Sequence, residues 1–198
     1  KRQDYASELG YEIKHIATAR SNDSQIECKV HPALVNKKNI LSKIDGVMNA
    51  VKIIGDKFGT SMLYGHGAGG AATASAVVSN IIDYCIHLDR KVKRKLDSID
   101  SGSRELVDIQ NISDQYYLRM FANDVPGVMA DVTSVLAKHQ ISIEAVTQHE
   151  PFENEKLIPV VMITNSVRYK DILSAIKKIE TMDNIIGDVN LIRVFNDD

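Results

Sequence analysis

The sequence predicts an α+β fold in two blocks, and three features of the chain lead to that prediction. Residues 1–95 contain alternating strand patterns and one long apolar helix pattern, as in a mixed α/β-type sheet. Residues 96–115 lack an apolar period and are rich in Ser, Asp and Gly, which is typical of a linker. Residues 116–198 follow the order β-α-β-β-α-β, the split βαβ pattern of ferredoxin-like domains.

The first block begins with a helix and two strands. The stretch from Gln3 to Leu9 indicates the end of a helix, which Gly10 terminates. Alternation of apolar and polar residues predicts strands at 12–18 and 25–30. His31-Pro32 is expected to end the second strand, because proline cannot donate a ladder hydrogen bond.

The rest of the first block predicts a hairpin and a helix. A short turn is expected near 40–44, and strands at 46–54 and 60–64 are adjacent enough to pair. Residues 71–88 are rich in Ala, Val and Ile at helical spacing. Because this helix is apolar on most sides, we expect it to be buried.

The second block has clear boundaries between its elements. Its sheet needs cover on the face away from the helices, which a second copy often supplies. In order, the predicted elements are a strand at 116–122, a helix that Pro126 opens and that runs to Lys138, strands at 141–148 and 156–164 with a turn at 151–154 between them, a helix at 169–182 and a strand at 185–195.

Composition excludes several classes of protein. A net charge of −2 and a pI near 6.3 argue against a nucleic-acid binder, which is usually strongly basic. No apolar run approaches the roughly 18 residues of a membrane span, and no leader pattern opens the sequence, so a cytoplasmic protein is expected. Cys28 and Cys85 form no CxxC motif and are interpreted as reduced core thiols. No metal-ligand cluster is expected.

A glycine-rich loop connects the hairpin to the apolar helix. Gly65, Gly67 and Gly70 satisfy the spacing G-x-G-x-x-G, which lets backbone approach a phosphate at a helix start. The alternative is close packing of helix on sheet through small residues. No second strand follows and Asp83 still lies in the helix pattern, so this is not a Rossmann unit. The basic run at 87–95 is interpreted as a solvated helix end, with a phosphate-binding patch as the alternative.

Five segments carry a family resemblance. The stretches Glu8–Lys14, Val30–Val35, Gly46–Val51, Gly65–Gly70 and Thr73–Asp83 resemble the late part of the catalytic domain of homoserine dehydrogenase. Residues 1–95 are therefore interpreted as catalytic and dimerisation domain, 96–115 as linker and 116–198 as a separate regulatory domain.

The resemblance implies an oxidoreductase of threonine, methionine and isoleucine biosynthesis. Such an enzyme interconverts L-homoserine and L-aspartate 4-semialdehyde with NAD or NADP. Its cofactor domain and proton-relay lysine have no counterpart in this sequence, so the 198 residues alone are expected to be inactive. By motif match, Gly69 contacts the cofactor and Thr73 opens the helix beside it. Lys14 and His31 are interpreted as structural rather than as acid–base residues.

The second block is similar to the ACT domain, an amino-acid-binding regulatory module. The resemblance lies in Asn123–Val128 and Ile141–Ile143. Pro126 suits the first helical position, so that Gly127 and Val128 leave free N–H groups for a ligand carboxylate. Asn123 and Asp124 then suit the ligand ammonium group. A plain strand-to-helix turn is the alternative interpretation of the same residues. Gln140 stands where the ACT pattern often has Gly.

The ACT resemblance also implies partners. The strand that carries Ile141, Ser142 and Ile143 often faces the same loop of a neighbouring copy, so we expect a homo-oligomer through the sheets of both blocks. The implied effector is a small amino acid, L-threonine in the homoserine dehydrogenases. The alternative function is a free-standing ACT-type amino-acid-binding regulatory protein that uses the first block as an oligomerisation platform.

Overall fold

The chain folds as two compact units, and the sequence of one is inserted within the sequence of the other. The computed structural model describes residues 2–21, 24–90, 104–148 and 157–197. One unit combines Lys1–Lys37 with Ser103–Asp198, and the other is Lys38–Gly102. The sequence placed the division at 95–115, whereas the contacts group the first strands with the second block. The basic run beyond Arg90, most of the expected linker and the turn at 151–154 lie outside the described residues.

The first unit begins with a helix and a long hairpin. Helix α1 (Arg2–Glu8) ends at Gly10, whose φ of +83° confirms the predicted glycine terminator. Strand β1 (Tyr11–Ser21) pairs antiparallel with β2 (Gln25–Asn36). The prediction that Pro32 ends β2 was wrong, since Pro32 pairs opposite His15 within the strand. On the other side of β2, no pairing within the described residues includes Pro32, and a proline is tolerated at an unpaired position of a strand.

The second block forms the predicted β-α-β-β-α-β order. Its elements, in the numbering used below, are β5 (Glu105–Leu106), β6 (Ser113–Asp114), β7 (Tyr116–Asn123), α3 (Val128–Lys138), β8 (Ile143–Gln148), β9 (Leu157–Thr164), β10 (Val167–Arg168), α4 (Tyr169–Ile179) and β11 (Ile185–Phe195). The β1–β2 hairpin joins this block because β2 pairs parallel with β11, which gives the strand order β1-β2-β11-β7-β9-β8. Two short pairings complete the unit: β5 is parallel to β2, and β6 is antiparallel to β10.

Each face of this sheet has its own core. Helices α3 and α4 pack on one face, where the largest buried side chains include Tyr116, Leu118, Leu136 and Ile172. On the other face, Tyr5 and Ala6 of α1 are buried together with residues of β2, β7, β9 and β11. The sequence assigned the cover of this second face to another copy, but α1 covers part of it from within the chain.

The second unit contains a hairpin and one long helix. A 3₁₀ turn at Ile40–Lys43 precedes strands β3 (Met48–Gly55) and β4 (Gly59–His66), which pair antiparallel as predicted. Helix α2 (Gly70–Arg90) also lies where it was predicted. Its burial was predicted wrongly, because its described side chains are exposed along nearly the whole helix. Examples are Val77, Val78, Ile81 and Ile82, each more than half exposed.

Two further expectations were wrong: that no apolar run is long enough to span a membrane, and that both cysteines lie in the core. The 19 residues Gly70–Leu88, with a mean hydropathy of 1.2, are long and apolar enough to cross a membrane, although a single such helix is a weak indication. Cys28 and Cys85 are both exposed free thiols rather than core residues. On β2 the position that points inward beside Cys28 is Lys29, which is 7% exposed.

Candidate functional site

The glycine loop joins β4 to α2. Gly69 has a φ of +121°, which favours glycine, and its carbonyl accepts the N–H of Thr73 at 3.0 Å. Gly69 therefore stands immediately before the first helical turn. Gly67 donates its N–H to the carbonyl of Val47 at 2.9 Å, and a Cβ added there would overlap the side chain of Asn49. The two glycines are thus required for different reasons, one for its conformation and one for a close approach.

The exposed loop suits approach by a phosphate-bearing group. Within the described part of the chain, no atom of another residue lies within 4 Å of a Cβ built on Gly69 or Gly70, so no described residue crowds the start of α2. The first N–H groups of a helix lack intrahelical acceptors and attract anions. The residues present therefore fit a diphosphate, and the close-packing interpretation explains only Gly67.

The second candidate site is a cavity at the start of α3. It lies between the end of β7, the first turn of α3 and the facing ends of β8 and β9. Its volume is about 30 Å³, enough for water but much smaller than an amino acid. The lining residues are Ala122, Asn123, Asp124, Val125, Val128, Met129, Gln148, Ile158 and Val160.

Local geometry sets the helix start against this cavity. Gly127 is the residue before α3, with a φ of +99° and ψ of −21°, and no side chain caps the helix. Its carbonyl accepts the N–H of Asp131 at 3.0 Å. The prediction that Pro126 occupies the first helical position was wrong, because the chain needs a left-handed residue to turn into the helix and only Gly127 supplies it. Helix α3 therefore begins at Val128.

The cavity combines two kinds of polar group. The carboxylate of Asp124 is exposed, and Asn123 is half-buried beside it. Val128, at the first position of α3, is 5% exposed, so its side chain forms an apolar floor. A helix start attracts a carboxylate, and an aspartate attracts an ammonium group. The pair matches the two charged ends of an amino acid.

Not every predicted site residue lies at the cavity. Asn123, Asp124 and Val128 line it, and Gly127 is in the adjoining turn. Ile141 is 4% exposed and belongs to the helix-side core, and Ile143 packs against that core. Ser142 exchanges hydrogen bonds with Asn165, accepting at 2.9 Å and donating to Oδ1 at 3.0 Å. Ile141 and Ser142 therefore hold the loop before β8, and Ile143 is the first residue of that strand. None of the three lines the cavity.

Two polar or adaptable lining residues were missed from the sequence. Gln148 ends β8 and pairs opposite Val160, which brings its side chain to the cavity. Met129 follows Val128 in the first turn of α3. Only the register of β8 on β9 shows that Gln148 reaches the site, because the sequence predicted it simply as the last residue of the strand at 141–148.

The acid–base candidates of the first block lie elsewhere. His31 is half-buried, and burial lowers its pKa, with Arg193 and Lys29 acting in the same direction. Burial likewise raises the pKa of Tyr116. Neither residue lines the cavity, and Arg193 and Asp114 contribute to both pKa shifts.

Sequence comparison decides the family. Residues 1–82 match the profile described as homoserine dehydrogenase, and residues 116–181 match the ACT domain profile. The homoserine dehydrogenase of Pseudomonas aeruginosa is 36% identical over 196 residues, which are 96% of this chain and 45% of that protein. The chain belongs to the homoserine dehydrogenase family.

Other relatives of the homoserine dehydrogenase family agree. The homoserine dehydrogenase of Helicobacter pylori is 35% identical over 98% of this chain and 45% of that protein. The crystal structure of a homoserine dehydrogenase from Thiobacillus denitrificans matches with a TM-score of 0.84 and 33% identity, over 98% of this chain and 44% of that chain. The chain thus spans about 45% of the length of the curated relatives that it matches.

Proposed function

We propose that these residues form the C-terminal region of an NAD(P)-dependent homoserine dehydrogenase whose ACT domain senses L-threonine. The family match across both blocks supports the catalytic part of the proposal. The observation that carries the sensor part is the cavity at the start of α3, where Asp124 and a free helix start face the same space. The proposed division is catalytic domain to residue 95, linker to 115 and ACT domain from 116.

The proposed reaction converts L-homoserine to L-aspartate 4-semialdehyde. Oxidation removes a hydride from the carbon that bears the hydroxyl group and a proton from that hydroxyl, and NAD or NADP accepts the hydride when bound. In this chain the open backbone around Gly69 is proposed to approach the cofactor, with Thr73 beside it. Because the chain spans about 45% of its relatives' length, we propose that it does not catalyse this reaction alone.

The proposed sensor chemistry follows from the charges of the cavity. The N–H groups at the start of α3, at Gly127 and Val128, would receive the ligand carboxylate, and Asp124 with Asn123 would hold its ammonium group. The half-buried Met129 and the buried Val128 offer apolar contact to a short side chain. A small aliphatic or hydroxylated amino acid such as threonine meets these requirements.

The small volume supports a site completed by a second copy. A cavity of about 30 Å³ cannot enclose an amino acid, so one wall must come from elsewhere or must move. The cavity opens beside β8, an end strand of the sheet. We propose that a second copy supplies the missing wall there, which makes sensing and oligomerisation one event.

Calorimetric titration of the purified chain tests the sensor proposal. L-Threonine is expected to bind saturably and L-alanine to bind much more weakly. Asp124→Ala is expected to weaken threonine binding about 10- to 100-fold, because a charge-assisted hydrogen bond contributes about 1.5–3 kcal/mol. The matched control is Asp171→Ala, which removes a partly exposed carboxylate, paired with Arg168, from the first turn of α4 instead.

The outcomes separate the two parts of the proposal. Equal affinity in Asp124→Ala and wild type would remove Asp124 from the site. No saturable binding of threonine to the wild-type chain would contradict the sensor function, while the family assignment would stand on sequence.

A further inference from the structure

A buried cluster of charges lies where the hairpin meets the ACT sheet. The Nζ of Lys29 is 2.7 Å from Oδ1 of Asp114 and 2.7 Å from Oε1 of Glu27. The Nε of Arg193 donates to Oδ2 of Asp114 at 3.1 Å. The side chains of Lys29, Asp114 and Arg193 are only 5%, 12% and 11% exposed. Water therefore screens these contacts far less than it screens surface ion pairs.

The three charges come from three separate segments of the chain. Lys29 lies on β2, Asp114 on β6 and Arg193 on β11. Asp114 uses one carboxylate oxygen for each cation, so it joins the hairpin to the last strand of the sheet. Removal of one member of a buried ion pair is strongly destabilising, because it leaves an uncompensated charge. Loss of Asp114 would remove the carboxylate that Lys29 and Arg193 share, while Glu27 would still pair with Lys29.

The backbone pairing that holds the hairpin to β11 is short, and the apolar cluster that contains Leu34, Tyr117 and Val194 adds to it. The parallel pairing between β2 and β11 covers three residue pairs, Ala33 with Arg193, Leu34 with Val194 and Val35 with Phe195. By comparison, β1 and β2 pair over eleven positions. The charged cluster lies beside the short pairing, since Lys29 precedes it on β2 and Arg193 is its first residue on β11.

The same cluster contacts the start of α4. The guanidinium carbon of Arg193 is 4.4 Å from the ring centroid of Tyr169, the first residue of that helix. Tyr169 stacks on Tyr116 with ring centroids 6.3 Å apart, and its N–H donates to the carbonyl of Ile112 at 3.0 Å. Helix α4 packs on α3, the helix whose first turn lines the cavity. Packed elements therefore connect the cavity to the cluster without a gap.

We propose that Lys29, Asp114 and Arg193 form a latch whose opening releases the β1–β2 hairpin from the ACT sheet while the βαββαβ fold remains intact. A buried ion cluster has two states, closed with its partners or open to water, and so acts as a discrete device. The hairpin continues in sequence into the second unit. The latch is thus one of the contacts through which the ACT domain holds the hairpin, beside the short pairing of β2 with β11 and the apolar cluster around Leu34.

Hydrogen exchange of the 198-residue chain tests the latch without any ligand. In Asp114→Asn, peptides that cover residues 25–36 are expected to exchange about tenfold faster or more, because a buried pair is broken. Peptides that cover residues 157–164, in the centre of the ACT sheet, are expected to keep their wild-type rates. The control Asp171→Asn breaks an exposed pair with Arg168, at 2.7 Å, and is expected to change neither region.

A second variant keeps the test decisive if Asp114→Asn fails to fold. Lys29→Met removes the hairpin's cation and leaves the pair of Asp114 with Arg193 in place. It is expected to release residues 25–36 to exchange with the ACT sheet unaffected. Wild-type rates at 25–36 in both variants, or equal acceleration across the whole sheet, would overturn the latch.

A further exchange experiment with added ligand tests whether binding at the cavity affects the latch. This experiment rests on the proposed function. Addition of L-threonine is expected to change exchange at 25–36 in the wild type and to have no such effect in Lys29→Met, although calorimetry still detects binding. A threonine effect that persists in Lys29→Met would contradict transmission through the latch. Absence of threonine binding to the wild type would contradict the sensor proposal alone, since the ligand-free rates judge the latch.

Discussion

Gln140 is the residue with the most unusual backbone among those described. Its φ of +59° places it in the left-handed region, where it is the one residue other than glycine in the described part of the chain. It ends the turn between α3 and β8, and its N–H donates to the carbonyl of Ala137 at 2.9 Å. A side chain in this conformation costs roughly 1 kcal/mol relative to glycine. The departure from the ACT pattern noted in the sequence therefore corresponds to local strain.

Replacement of this residue is expected to stabilise the protein. Gln140→Gly should raise the free energy of unfolding by up to about 0.5 kcal/mol, because relief of the strain is partly offset by the added entropy of the unfolded chain. Urea unfolding followed by circular dichroism measures the change. The control Lys138→Gly, at an exposed position in the last turn of α3, should lower stability by up to about 1 kcal/mol. Equal losses in both variants would show that the turn carries no strain.

At the level of single residues, Asn123 and Asp124 line the cavity whereas Ile141 and Ser142 do not, and contact of any of them with a ligand stays a prediction. Asn123 and Asp124 were identifiable because a polar pair precedes a Pro-Gly helix start. Ile141 and Ser142 were assigned to the site by resemblance, and the structure uses them for the core and for a loop clamp with Asn165. Gln148 was missed because only strand register brings it to the cavity.

The element that carries the glycine loop permits a test of the proposed cofactor contact. Gly69 needs its positive φ of +121° at the start of α2, whereas Gly65 lies in β4 with no positive φ and open space around a Cβ. In a full-length enzyme, Gly69→Val should raise the KM for the nicotinamide cofactor by about tenfold or more, through loss of close backbone approach. Gly65→Val, the matched control, should leave that KM within about twofold. An unchanged KM in Gly69→Val would remove the residue from the cofactor site.

Periodicity predicted most elements and failed where tertiary contacts decide. Strands β3, β4 and β11 and helices α2 and α4 start within about two residues of their predicted positions because their apolar periods are uninterrupted. Strand β2 passes through Pro32, which on the side away from β1 has no strand partner among the described residues. The burial of α2 was inferred from its apolar composition alone. In the described part of its unit, no buried core packs against this helix.

At the scale of the whole molecule, the main difference from the sequence prediction is that β1 and β2 belong to the same sheet as the strands of the ACT domain. The short parallel pairing of β2 with β11 joins opposite ends of the chain, and no local pattern reports a contact of that kind. The charges on β2 gave a signal in retrospect, since Glu27 and Lys29 alternate with the apolar residues of the strand and Lys29 is buried.

The most direct test of the account is the rate of homoserine-dependent NAD or NADP reduction by a full-length protein that carries these residues, measured with and without L-threonine. The account predicts turnover that threonine changes, and no turnover from the 198-residue chain alone. The Asp124→Ala protein should keep its rate without threonine and lose the response to threonine. A full-length protein without homoserine-dependent reduction, or a 198-residue chain that catalyses it, would contradict the account.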